Sequence, residues 1–142
     1  MRCAMSPRMS TPFTFRDLVV WKQGMDLVED CYRATTSFPK SELYGLTGQL
    51  RRASVSIPAN VAEGHGRRST KAYLNHVSIA IGSQAELATC LELAVRLGFL
   101  GPSDGNRLAG VSDSVGRLLY GLHRALKDKL AARRRDRTVS NT

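Results

Sequence analysis

The sequence predicts an all-α protein, an antiparallel up-down-up-down four-helix bundle. Three observations carry this expectation. Four long segments place apolar residues at steps of three and four, none alternates for long, and short stretches rich in Gly, Pro and Ser separate them. Each apolar stripe covers one side of its helix, so none can leave water alone; four packed around a shared seam can. A chain of 142 residues is enough for one such domain.

The first helix is expected over 16–37, with Leu18, Trp21, Met25, Val28 and Tyr32 on one face. Phe38-Pro39-Lys40-Ser41 ends it, because Pro39 disfavours helical geometry at Phe38. The second spans 43–64 with Leu43, Leu46, Leu50, Ala53 and Ile57, and closes at Gly64-His65-Gly66, where glycine suits a left-handed end. The third spans 70–97 behind Ser69 or Thr70 as N-cap, with Leu74, Val77, Ile81, Ala85, Ala88, Leu91 and Val95. Gly98 to Asp104 separates it from the fourth, 104–132, marked by Leu108, Val111, Val115, Leu118, Leu122, Leu126 and Leu130. Helices of this length reach roughly 30 Å, and short connections favour antiparallel neighbours. Residues 1–14 are expected as a disordered N-terminal extension, 15–132 as the bundle and 133–142 as a basic flexible tail.

The net charge of +9 is unevenly spread. Arg2, Arg8 and Arg16 give +3 over residues 1–16; Arg67, Arg68 and Lys71 give +3 over 67–71. Arg124, Lys127, Lys129, Arg133, Arg134, Arg135 and Arg137, against Asp128 and Asp136, give +5 over 124–142; the remainder is slightly acidic. In an up-down-up-down bundle these three segments share one end, which becomes strongly positive. Cations at a helix C-terminus also meet the negative end of its dipole, a local benefit for one or two residues rather than seven.

Several function classes are excluded. Hydrophobic residues at 42% and charged residues at 23% do not describe a disordered chain. No apolar run approaches the roughly 18–20 residues of a membrane span, and residues 1–15 lack the apolar core of a secretory signal, so a cytoplasmic protein is expected. Cys3, Cys31 and Cys90 have neither metal-ligand spacing nor the pattern of a disulfide framework. Gly64 to Thr70 superficially resembles a phosphate-binding loop, but it follows a helix and lacks the Gly-Lys-Ser/Thr ending. His65, His76 and His123 have no carboxylate or cysteine at ligand spacing, and His76 and His123 read as boundary residues. No nucleophile–base pair, catalytic residue, metal or cofactor is expected, and Tyr32, Tyr44, Tyr73 and Tyr120 are too sparse for a base-stacking platform.

Pro58 lies inside the second helix and should kink it by removing one backbone donor. Asn60 continues the seam, so its amide needs a partner, either the carbonyl freed by Pro58 or a facing helix. A sharper reading makes Arg52, Asn60 and Glu63 a polar contact between subunits. Gly45, Gly48, Gly82, Gly110, Gly116 and Gly121 each cost roughly 1 kcal/mol inside a helix, which points to close backbone approach within the bundle or between subunits.

Arg16-Asp17-Leu18-Val19-Val20-Trp21-Lys22, Phe38-Pro39, Glu42-Leu43-Tyr44-Gly45-Leu46, the run Gln49 to Gly64 with Arg67 and Ser69, and Ile79 to Leu87 together carry a family resemblance. Over roughly 15–125 the chain resembles the four-helix-bundle family often encoded in intervening sequences of bacterial 23S ribosomal RNA genes; Arg52 to Gly64 is the specific part. The resemblance implies an antiparallel bundle assembling into ring-like homopentamers. It also implies kinship with the accessory protein of diversity-generating retroelements, which binds nucleic acid and a reverse transcriptase. It brings no enzymatic activity and no cofactor.

The expected function is therefore a non-enzymatic oligomeric accessory protein that binds RNA or DNA non-specifically. Its expected contact residues are Arg67, Arg68, Lys71, Arg124, Lys127, Lys129, Arg133, Arg134, Arg135 and Arg137. The alternative is a protein-interaction scaffold with no direct nucleic-acid role. Expected partners are further copies of the chain, nucleic acid and a possible protein, with no membrane and no identified small-molecule substrate.

Overall fold

A computed structural model describes residues 12–141. Among them are four α-helices, two single 3-10 turns and no strand: α1 (Val19–Thr35), α2 (Leu46–His65), α3 (Thr70–Arg96) and α4 (Pro102–Ser140). No helix among the described residues is long and apolar enough to cross a membrane.

The chain enters α1 through a 3-10 turn, Phe15–Asp17, closed by a capping box. Thr14 Oγ1 accepts from the Arg16 N–H at 3.2 Å, and Asp17 Oδ2 accepts from the Thr14 N–H at 2.8 Å. Trp21 meets the Phe15 ring edge-on, and Phe13 lies 5.8 Å from His65 between ring centroids. Phe13 and Thr14, expected in a disordered extension, therefore make a ring contact with His65 and cap the turn. The rest of that extension, residues 1–11 with Arg2, Cys3 and Arg8, lies outside the described residues.

The buried face of α1 differs from the expected one. Val20, Gly24, Leu27, Cys31 and Thr35 are buried, whereas Met25 and Tyr32 are 38% and 42% exposed. The centre of the contact is narrow because small residues line it. An added Cβ on Gly24 would sit 3.5 Å from the Pro58 Cβ, so α1 lies directly against the proline of α2. α2 continues as one helix through Pro58, and its stripe of Leu50, Ala53 and Ile57 is buried as expected.

Ser69 is the N-cap of α3, its Oγ accepting from the Ala72 N–H at 3.2 Å. Beyond the other end of α3, Gly98 adopts φ +77°, and the Phe99 N–H returns to the Ala94 carbonyl at 2.9 Å. Close packing continues at Gly105, where a Cβ would lie 2.5 Å from Val95 Cγ2. Leu27, Leu50, Ile57, Leu87, Leu108 and Leu119 form the fully buried centre shared by all four helices.

One boundary is corrected. α4 runs to Ser140, so residues 133–140 are helical and the fourth helix ends eight residues beyond the 132 expected for it. Arginine is a good helix former, and no Gly or Pro follows Gly121 to stop the helix. Apolar periodicity could not reveal this turn-by-turn extension, because residues 131–141 are exposed throughout.

Candidate nucleic-acid interface

The start of α3 and the last turns of α4 meet. Arg133 Nη1 donates to Thr70 Oγ1 at 3.0 Å. Around this bond lies a cleft of about 300 Å³, lined by Ser69, Thr70 and Lys71 on one side and Leu130, Arg133, Arg134 and Arg137 on the other. A second cleft, about 380 Å³, adjoins it with Lys127, Arg134 and Arg135 beside Leu74, Leu130 and Ala131. Positions 130, 134 and 137 share a helix face at steps of four and three, which is why Leu130 supplies the floor and the arginines the rim. The extra helical turns of α4 therefore fix the arginines in place relative to Lys71.

These bases lack acidic partners. Among the described residues, Arg67 alone of the ten candidates forms an ion pair, with Glu63 Oε1 at 3.0 Å. Arg33, Arg96 and Arg107 are each matched to a carboxylate instead, Glu29 at 3.1 Å, Glu92 at 2.9 Å and Asp30 at 3.3 Å. Exposed pairs of that kind are worth little to stability, but they cancel local field. The cleft bases keep theirs, and a cluster of one sign concentrates counter-ions and anionic ligands. Arg68, Arg124 and Lys129 are exposed and line neither cleft.

Of the three residues expected at a subunit contact, Asn60 and Glu63 both meet His76 of α3, while Arg52 lies apart from them. Asn60 works within the chain: its Nδ2 donates to the Ser56 carbonyl at 2.9 Å and to Ser56 Oγ at 3.0 Å. Its Oδ1 lies 3.0 Å from His76 Nδ1 on α3, and Ser56 Oγ lies 2.7 Å from Ser83 Oγ. His76 Nε2 is 3.9 Å from Glu63 Oε1, the same oxygen that accepts from Arg67. Asn60 is thus satisfied by the facing helix and by Ser56; Ser54, four residues before Pro58, carries the carbonyl the proline frees. Arg52 is exposed on α2, about 12 Å along the axis from Asn60 at 1.5 Å per residue. The link from Asn60 to His76 spans a turn and a helix start, so no local pattern signalled it.

Tyr73 stands beside this ladder, perpendicular to His65 with ring centroids 5.9 Å apart. Burial raises its hydroxyl above the ordinary tyrosine range.

Comparison with known proteins adds a family. A family model described as 23S rRNA-intervening sequence protein matches residues 16–121. That stretch includes Arg67, Arg68 and Lys71 and stops before Arg124. The chain is also similar to a crystal structure of a protein of unknown function from the S23 ribosomal protein family of Bacteroides thetaiotaomicron. The two are 20% identical with a TM-score of 0.67, over 74% of this chain and 98% of that one, a likeness of fold. A comparison with curated proteins gave no match.

Proposed function

The chain belongs to the 23S rRNA-intervening sequence protein family, and we propose that it acts as a non-enzymatic, cytoplasmic accessory protein, a ring-like homo-oligomer that holds nucleic-acid backbone at its basic end. The observation that carries this reading is the junction of Thr70 with Arg133, which sets Lys71 among Arg133, Arg134 and Arg137 with no carboxylate opposite them among the described residues. Guanidinium groups suit phosphate because their planar fork matches two oxygens at once. Such contacts fix the backbone and carry no sequence information, so RNA and DNA both qualify.

The reading takes the helices to run antiparallel. Gly24 against Pro58 and Thr35 against Arg51 support this for α1 and α2, and Ser56 against Ser83 with Asn60 against His76 for α2 and α3. Thr70 against Arg133, Gln84 against Ser112 and Gly105 against Val95 support it for α3 and α4. Several copies with their basic ends on one side of a ring would bind one strand by avidity.

Light scattering of the purified protein before and after nuclease treatment tests both parts. Expected is a multi-copy mass with ultraviolet absorbance that nuclease removes; a monomer without nucleic acid overturns the reading. A scaffold role is favoured by the exposed apolar side chains Tyr44, Leu97 and Tyr120, which are 93%, 57% and 59% exposed. Arg67→Ser and Arg68→Ser combined with deletion of residues 131–142 separate the two. Unchanged nucleic-acid retention removes the basic-end argument, and a retained protein partner with lost nucleic acid assigns both surfaces.

A further inference from the structure

A separate cleft lies between α1, α2 and their connection, apart from the bases described above. It encloses about 380 Å³ and is lined by Thr35, Thr36, Phe38, Pro39, Lys40, Leu43, Thr47 and Arg51. Its character is mainly apolar, yet it carries one half-buried guanidinium. Arg51 Nε donates to Thr35 Oγ1 at 2.8 Å, and the guanidinium lies over the Tyr32 ring at 4.6 Å. Those contacts hold the group from two sides and leave its two terminal nitrogens without a hydrogen-bond or ion-pair partner among the described residues. The acid on this connection, Glu42, is engaged elsewhere, its Oε2 accepting from the Leu46 N–H at 3.0 Å at the start of α2. Thr47 adds a second unmatched group on the wall, buried at 3% exposure with no partner for its hydroxyl among the described residues.

A held, partly desolvated cation with no counter-ion is an incomplete pair, and an anion of the right shape completes it. The planar fork with both terminal nitrogens free suits a carboxylate. Phe38, Pro39 and Leu43 offer it an apolar companion, and Leu43 is 49% exposed with nothing covering it. A volume of this size, with a mainly apolar surface set with threonine hydroxyls and two bases, Lys40 and Arg51, is in the range of small-molecule pockets. We propose that this cleft binds a small amphipathic carboxylate, its apolar body on Phe38, Pro39 and Leu43 and its carboxylate on Arg51.

Decanoate is a suitable probe, because the cleft has space for about a dozen water-sized volumes of roughly 30 Å³ each and decanoate has as many heavy atoms. Decyltrimethylammonium carries an equal tail with the opposite charge. Titration of the full chain, followed by amide NMR shifts, is expected to give saturable changes at Thr35, Leu43 and Thr47 with decanoate and not with the cation. Arg51→Gln should weaken decanoate binding about tenfold or more. Leu43→Ser, at an exposed position that does not threaten folding, should weaken it several-fold and serves if Arg51→Gln does not fold. Equal binding of the two detergents overturns the proposal, as does a decanoate response confined to Lys71 and Arg133 or unaffected by both substitutions. A stronger response to an acidic peptide with an apolar residue beside its carboxylate overturns the small-molecule assignment in favour of a protein partner.

Discussion

Replacing Arg133, Arg134 and Arg137 together by Gln is expected to flatten the salt dependence of nucleic-acid binding. The cleft at the junction of α3 and α4 holds these three and Lys71, four bases in all. With one phosphate neutralised by each, the logarithm of affinity falls with the logarithm of salt at about −3.6 on duplex DNA and about −2.8 on a single strand. From 50 to 200 mM salt a duplex slope of that size loses about 150-fold in affinity per copy, whereas Lys71 alone loses about 3.5-fold. Where this cleft makes every phosphate contact, assembly multiplies the number of phosphates in parent and variant alike, and the slope ratio is about one quarter whatever the number of copies. Glutamine is close to arginine in helix propensity, and these positions are exposed, so the fold should persist and circular dichroism checks it. Anisotropy of a labelled duplex at several salt concentrations reads the slope. An unchanged slope in the triple variant, or a parent whose binding ignores salt, would refute the assignment of phosphate contacts to this cleft.

Three further outcomes follow from packing and burial. Gly64→Ala places a Cβ 2.7 Å from Tyr73 Cδ2 and 2.8 Å from His76 Cβ, and urea unfolding should show a loss of about 1–3 kcal/mol; an unchanged midpoint would mean α2 and α3 are not held at this separation. The Cys31 thiol is pushed up to about 12 by burial and then by Asp30, with Arg107 opposing, so a thiol reagent at pH 8 should reach it only after denaturation. Because the folded thiol keeps its proton above the unfolded value of 9.0, this group lowers stability as pH rises from 9.0 towards about 12, at about 1.4 kcal/mol per pH unit; Cys31→Ala should remove that part of the slope. Gly82, Gly110 and Gly121 face open space within the chain, so alanine at each should raise stability by about 1 kcal/mol, while a drop in assembled mass would place that glycine against another copy.

Helix number, order and most ends were legible in the sequence, because they depend on short-range chemistry. Pro39 ends the first helix region and Gly98 follows α3 through local backbone preference, and steps of three and four announce each helix. The gathering of Lys71 with the C-terminal arginines was legible for a related reason: four helices joined by short connections leave few ways to place their ends. The tertiary structure alone decided which face of α1 is buried. Gly24 and Thr35 carry a weaker apolar signal than Met25 and Tyr32, but small side chains let α2 approach, and contact area decides burial. It alone joined Asn60 to His76, carried α4 to Ser140, and left Arg51 held by Thr35 and Tyr32 without an acid. Periodicity records what each segment prefers by itself; the partner of a polar side chain is set by the surface that another helix brings to it.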